Sequence, residues 1–308
     1  MSNPPGQEIP VPASSGKPSL VRDLFKLTRP QQWTKNIYVL TPLVFGNLWL
    51  DRSSQIAIAV ALACFCLWSS SVYCLNDVID AEADRAHPRK KNRPVASGRI
   101  SKPVALLLAV ALLLGGAWVG YVCLPPGFIF AGALYVANNV LYCVFMKHRV
   151  IADVLVIAIG FVLRIEAGCL ALGIVPSTWI HVCGFSLALV LGFGKRRLEV
   201  VNVSQPGHYR RVLHRYSAEK LNLFLGTSVS VCLVSYILYT VAPETIARHN
   251  TDRLFYTVPF VAYGLFRFMF KVQEGGYDGP DEVLVRDPIF ALNGLAWIIS
   301  VLVVLRLA

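Results

Sequence analysis

The chain has 308 residues, 55% of them hydrophobic and only 15% charged, with a mean hydropathy of +0.56. Long apolar runs recur from Ile37 to Leu305 and leave no room for a soluble domain, which makes this a polytopic membrane protein. The formal net charge of +11 could suit nucleic acid, but the basic residues lie in loops beside apolar runs, so membrane topology, anionic lipid and phosphate substrates explain it better.

The first 28 residues are polar and rich in Pro and Ser, without an apolar core ahead of a cleavage site, and read as a flexible cytoplasmic tail. Residues 29–308 form the transmembrane domain. It opens on Arg29-Pro30-Gln31-Gln32-Trp33-Thr34-Lys35-Asn36, and a first span over about 33–50 is broken or tilted by Pro42, with Trp33 as an interfacial anchor. Lys35 either snorkels to the headgroups or reaches a substrate phosphate. Further spans are expected at about 55–75, 103–123, 127–146, 150–173, 178–194, 222–242, 253–271 and 288–307. The fold class is therefore all-α, a helical bundle of about nine crossings.

Alternating sides puts Arg93, Arg99, Lys147, Lys195, Arg196, Arg210 and Arg211 on one face, whereas the other holds little beyond Arg52 and Arg248. The positive-inside rule then sets the N-terminus and the polar loops in the cytoplasm. The eight cysteines fall almost entirely inside apolar runs without metal-ligand spacing, and read as small core hydrophobes.

Asn76, Asp77, Asp80 and Asp84 follow the second apolar run. If that helix continues, the three aspartates share one face at i, i+3 and i+7, where they repel one another unless a cation holds them. All-oxygen ligands suit Mg²⁺, with Mn²⁺ as the alternative ion, and Mg²⁺ so held favours a phosphorylated substrate. A solvated acidic helix end, balanced by the bases after it, is the plainer reading. Lys90 and Arg93 in the same loop are candidate phosphate ligands.

Arg164 and Glu166 lie well inside an apolar run, so each must face a partner or a water-filled cavity. They form either a structural ion pair between spans or, for Arg164, a phosphate ligand. Asn138, Asn139 and His181 read as interhelical hydrogen-bonding groups. No nucleotide-binding loop, zinc motif or nucleophile elbow occurs.

The spacing Asn76-Asp77-x-x-Asp80-x-x-x-Asp84, followed by Arg93-Pro94-x-Ala96-Ser97-Gly98, resembles the first signature of the UbiA-type intramembrane prenyltransferase superfamily. That resemblance implies nine helices around a lipid-accessible cavity, with Mg²⁺ and a diphosphate at its cytoplasmic mouth. Where the superfamily usually has a second aspartate-rich motif, this chain reads Gly194-Lys195-Arg196-Arg197-Leu198-Glu199. The departure is similar to the decaprenyl-phosphate phosphoribosyltransferase branch, as are the runs Arg29 to Asn36, His87 to Pro94, Arg164 to Gly168, Tyr216-Ser217 and Gly275 to Asp287.

The branch implies transfer of 5-phosphoribose from phosphoribosyl pyrophosphate to a polyprenyl phosphate in the bacterial plasma membrane. This is a step towards lipid-linked arabinose donors for cell-envelope polysaccharide. Lys35, Arg164, Lys195, Arg196 and Tyr216 are then candidates for holding substrate phosphates, and Asp77, Asp80 and Asp84 for catalysis through the metal. Ordinary prenyl transfer to an aromatic acceptor and transport of a lipid-linked anion are the rival functions. A homo-oligomer is compatible with the sequence.

Overall fold

The computed structural model describes residues 19–87, 90–201 and 215–306, apart from the Leu284 side chain. Most of the expected polar tail, and the basic residues Arg210 and Arg211, lie outside the described residues. Among the described residues every regular element is helical. Seven helices are long and apolar enough to cross a membrane: α3 (Arg52–Ile79), α5 (Lys102–Cys123), α6 (Pro126–Val144), α7 (Ala152–Ala171), α8 (Thr178–Val201), α9 (Ala218–Val241) and α13 (Pro288–Arg306). Shorter helices are α1 (Leu20–Leu27), α2 (Thr41–Phe45), α4 (Ala81–Arg85), α10 (Pro243–His249), α11 (Val258–Glu274) and α12 (Pro280–Arg286).

The other two expected crossings take different forms. The stretch near 33–50 is a 3₁₀ segment, Pro30–Leu40, leading into the short α2. Its sequence explains this, because Gln31, Gln32, Lys35 and Asn36 leave no continuous apolar stripe and Pro42 removes a backbone donor. Trp33 is pinned to α3, donating to Ser70 Oγ at 3.0 Å. The stretch near 253–271 is a 3₁₀ turn, Arg253–Thr257, followed by the 17-residue α11.

Two apolar cores build the bundle. One joins the 3₁₀ segment to α3, α6 and α7 through Val39, Phe65, Trp68, Phe128 and Ala167, with Trp68 stacked on Phe128 at 5.3 Å between ring centroids. The other joins α7, α8, α9 and α11 through Val154, Phe193, Leu225 and Phe268. Both use α7, which is why its apolar run reads hydrophobic all round. All eight cysteines are free, and five of them are buried.

A close approach between α7 and the 3₁₀ segment depends on one glycine. A Cβ at Gly168 would sit 2.3 Å from the Val39 carbonyl oxygen, so no larger residue fits without moving backbone. Gly275 and Gly276 both have positive φ, 81° and 82°, and turn the chain from α11 into α12. At the start of α13, Asp287 accepts the N–H groups of Ile289 and Phe290, each at 3.0 Å, and hydrogen bonds from Arg267. Burial would raise the Asp287 carboxyl, but Arg267 and these N–H groups outweigh it and hold the group below the usual carboxylate range.

Gly168→Ala is expected to destabilise the protein by about 1–3 kcal/mol, the usual size of an overpacking penalty. Thermal unfolding in detergent should show a lower midpoint than wild type, and an unchanged midpoint would mean that the 3₁₀ segment gives way without cost.

Candidate active site

Helix α3 carries Asn76 and Asp77 in its last turn and stops at Ile79. Asp80 separates it from α4, yet the backbone still follows a helical course, since Asp80 N–H donates to Asn76 O at 2.9 Å and Asp84 N–H to Asp80 O at 2.8 Å. The three aspartates thus lie close to the expected face, across a break rather than on one unbroken helix. Asp77 and Asp84 are buried, while Asp80 and Asn76 are half-buried.

The carboxylates are neutralised by protein cations from three distant segments. Asp77 pairs with Arg29 and, at 3.3 Å, with Arg93 Nη1. The same Arg93 nitrogen lies 2.5 Å from Asp84 Oδ2, and Lys147 pairs with Asp80. Arg29 sits at a left-handed φ of 51° just before Pro30 and lays its guanidinium over Tyr73, 5.1 Å from the ring centroid. A non-glycine residue in that conformation costs of order 1–3 kcal/mol, which the ion pair must offset. Among the described residues no group of three His, Cys, Asp or Glu side chains forms a ready metal cage, and these aspartates are each paired with a cation. The donor set of one amide and three carboxylates nonetheless fits a hard divalent ion in its chemistry.

Arg164 is buried in α7, within electrostatic reach of Tyr73, the ring on which Arg29 lies. It donates to Asn36 Oδ1 at 2.9 Å, Gly160 O at 2.8 Å and Tyr135 Oη at 2.8 Å, and its guanidinium lies over the Tyr135 ring at 4.5 Å. Asn36 is held in turn by Ser69 Oγ at 3.2 Å. No carboxylate pairs with Arg164 among the described residues; the other charge of the run, the half-buried Glu166, pairs with His181 across to α8 at 2.8 Å. The two charges therefore do not form an ion pair with each other. Lys35 is within electrostatic reach of both Arg164 and Arg29, and its nearest carboxylate is Asp281 of α12, at 3.9 Å.

Arg196 and Tyr216 belong to a different, closed network. Arg196 is 1% exposed and pairs with the fully buried Asp153 at 2.6 Å and with Glu199. Tyr216 donates to Asp153 Oδ1 at 3.0 Å and accepts the N–H of Ile151 at 2.6 Å. Ile151 itself has a φ of 68°, rare for a β-branched residue. Burial pushes the Tyr216 phenol up to about 12, so it stays a protonated donor at physiological pH. These contacts brace α7 against α8 and the start of α9. Lys195 is half-buried on α8, and Lys90 is half-buried with its backbone N–H on His87 Nδ1 at 3.2 Å. Asn138 joins two helices by donating to Val156 O at 2.9 Å, whereas Asn139 only bonds back to Tyr135 O in its own helix.

Arg29, Asn36, Tyr135 and Lys147 are the site residues that sequence reasoning did not single out. Arg29 and Asn36 flank Lys35 in the opening polar run, which is a signal in itself. Tyr135 and Lys147 carry none that one sequence displays.

The signature of the UbiA prenyltransferase family matches residues 39–293. The chain belongs to that family. It is 32% identical over 302 residues to the decaprenyl-phosphate phosphoribosyltransferase of Mycolicibacterium smegmatis, covering 93% of each chain. The enzyme of the same name from Corynebacterium glutamicum is 30% identical, with 92% of this chain and 86% of that one covered. These relatives place it in the phosphoribosyltransferase branch of the UbiA family. A UbiA homologue from Archaeoglobus fulgidus, solved with DMAPP and Mg²⁺, superposes with a TM-score of 0.70 at 16% identity, over 93% of this chain and all of that one. Its likeness confirms the UbiA fold. Family membership and the apolar helices together make this an integral membrane protein.

Tyr216→Phe removes both hydrogen bonds of the phenol and leaves Asp153 and the Ile151 N–H short of a partner. The expected cost is about 1–3 kcal/mol in stability. Turnover per folded molecule should stay near wild type, measured beside the thermal midpoint; a large loss of turnover at unchanged stability would put Tyr216 at the substrate instead.

Proposed function

We propose that this protein transfers the 5-phosphoribosyl group of phosphoribosyl pyrophosphate to a polyprenyl phosphate, releasing pyrophosphate. The observation that carries this reading is Arg164, a buried guanidinium that no carboxylate neutralises among the described residues, within electrostatic reach of Lys35. A buried cation of this kind is stabilised by an anionic ligand. The names of the two phosphoribosyltransferase relatives support the identity of the substrates.

In this reading Asn76, Asp77, Asp80 and Asp84 hold a divalent ion, Mg²⁺ by its oxygen donor set. When bound, that ion supplies charge neutralisation to the leaving diphosphate. Arg29, Arg93 and Lys147, which pair with these carboxylates, would be the cations available to the diphosphate oxygens. Arg binds such oxygens bidentately and Lys as a point charge. Lys90, from the same loop as Arg93, extends that clamp.

The acceptor phosphate is already an oxyanion at neutral pH and needs no general base. It needs orientation and partial desolvation, which Arg164 and Lys35 supply from a wall of Tyr135, Phe161 and Asn36. Its oxygen attacks the anomeric carbon, the bond to the diphosphate breaks, and the electron pair leaves with pyrophosphate. Lys195 is assigned to the acceptor phosphate, while Arg196 and Tyr216 brace α7 against α8. The basic loops support a cytoplasmic mouth, and the bacterial relatives support a location in the plasma membrane.

Pure protein in detergent, given Mg²⁺, labelled phosphoribosyl pyrophosphate and polyprenyl phosphate, should form a phosphoribosylated lipid. Prenyl diphosphate with 4-hydroxybenzoate should give no product, and the reverse pattern would overturn the reading. Asp80→Asn should abolish pyrophosphate release while the protein stays folded. Arg164→Gln is expected to lower turnover about a hundredfold, the size seen when one oxyanion-stabilising donor is lost, with the effect in acceptor use rather than in binding of phosphoribosyl pyrophosphate. Unchanged acceptor kinetics would remove Arg164 from the site.

A further inference from the structure

The proposed reaction puts three groups in a row: the leaving diphosphate, the sugar transferred and the acceptor phosphate. Asp77 and Arg29 mark the diphosphate end, and Arg164 with Lys35 the acceptor end. Tyr73 is within reach of both. It is half-buried on α3 four residues before Asp77, hence on the same face and one turn further into the bundle. The Arg29 guanidinium lies 5.1 Å from its ring centroid, and Arg164 acts on it electrostatically. In that reaction the sugar falls beside this ring.

A third charge reaches the same place from the other side of the mouth. Asp281, in the first turn of α12, acts electrostatically on Tyr73 and lies 3.9 Å from Lys35 Nζ. That separation is longer than a hydrogen bond, and the Asp281 side chain is 63% exposed. Three other acids of the same stretch are held more tightly: Glu282 by Arg286 at 2.8 Å, Glu274 by Lys271 at 2.6 Å and Asp287 by Arg267 at 2.9 Å. The helix that carries Asp281 is nonetheless well seated. Pro280 is buried, Val283 is fully buried in the core with Phe268 and Val272, and α12 packs on α8, α11 and α13.

The cations of the site suit phosphate oxygens, and Asp77, Asp80 and Asp84 suit a metal. A ribose presents hydroxyl donors as well, which a cation cannot accept, whereas one carboxylate can accept two of them. A prenyl chain presents none, and a carboxylate set against it would lose water without gaining a partner. We propose that Asp281 is the residue that recognises the sugar, its carboxylate accepting from the 2- and 3-hydroxyl groups of the phosphoribosyl donor. This role rests on the reaction proposed above and supplies what makes the site choose a sugar over a prenyl chain.

The test uses the pure full-length protein with Mg²⁺ and polyprenyl phosphate, and compares phosphoribosyl pyrophosphate with its 3-deoxy analogue. The analogue keeps both phosphate groups and the immediate neighbours of the reacting carbon. Wild type should use the parent donor about ten- to a hundredfold better in kcat/KM, the range for one hydrogen bond to a charged group. Asp281→Ala should treat the two donors nearly alike, through loss of kcat/KM for the parent donor, with KM for polyprenyl phosphate unchanged. Asp281→Asn, the same size without the charge, should fall between the two. An acid that only suits the dipole at a helix start would instead lower the thermal midpoint and leave the donor preference intact. Equal use of both donors by wild type, or the full wild-type preference in Asp281→Ala, would overturn the proposal while the reaction itself stands. If wild type forms no phosphoribosylated lipid from either donor, the reaction fails and this role falls with it.

Discussion

Charge neutralisation at the end of α3 is the constraint on which the polar end of this bundle depends. Asp77 and Asp84 are buried, and a buried carboxylate without a partner costs several kcal/mol. Arg29 and Arg93 meet Asp77, Arg93 also meets Asp84, and Lys147 meets Asp80. These cations arrive from before the 3₁₀ segment, from the loop ahead of α5 and from the turn between α6 and α7. Satisfying the aspartates therefore folds three connections over one point. In the proposed reading, each cation that leaves a carboxylate for a phosphate would leave that carboxylate open to a metal.

The first segment is tied down by a second kind of contact. Asn36 accepts from Arg164 and donates to Ser69, joining the 3₁₀ segment to both α7 and α3. Gly168 permits the approach, with Val39 O packed where a side chain would stand. The motif that reads Arg164-x-x-Ala167-Gly168 thus sets the Asn36 contact and the Val39 approach one helical turn apart, where i and i+4 share a face.

Much of the fold was legible because apolar runs of crossing length are a strong signal, and α3, α5, α7 and α9 fall close to their expected positions. The 3₁₀ segment was not, because hydropathy sees the length of a run and not whether its polar residues find partners within the bundle. The aspartates were legible from spacing, although the break at Asp80 was not, since the backbone keeps a helical course through it. Arg29 and Lys147 lie 48 and 67 residues from the carboxylates they meet, and only the packing of α3 against its neighbours brings them there. The pairing of Glu166 with His181 was hidden for the same reason. The i, i+3 pair of Arg196 and Glu199, by contrast, was open to view in the sequence and pointed to a structural role.

That last pair changes what the missing second aspartate motif means. The run Gly194 to Glu199 suggests that bases have replaced acids at one position, with the cations facing a phosphate in place of a metal. Arg196 instead lies against Asp153, next to Tyr216 and the strained Ile151. Arg197 is likewise buried and donates to Asn222 at 2.8 Å. Two of the three bases in that run therefore hold α8 in place, and only Lys195 is left half-buried on the same turn. Arg164, one helix away, also meets no carboxylate among the described residues and is held by neutral acceptors. Neutral acceptors orient a guanidinium without discharging it, so its full charge remains for an anion, which a carboxylate partner would not allow. In the proposed reading, the departure from the expected second aspartate motif thus rests less on a loop that turned basic than on Arg164, which no carboxylate neutralises among the described residues.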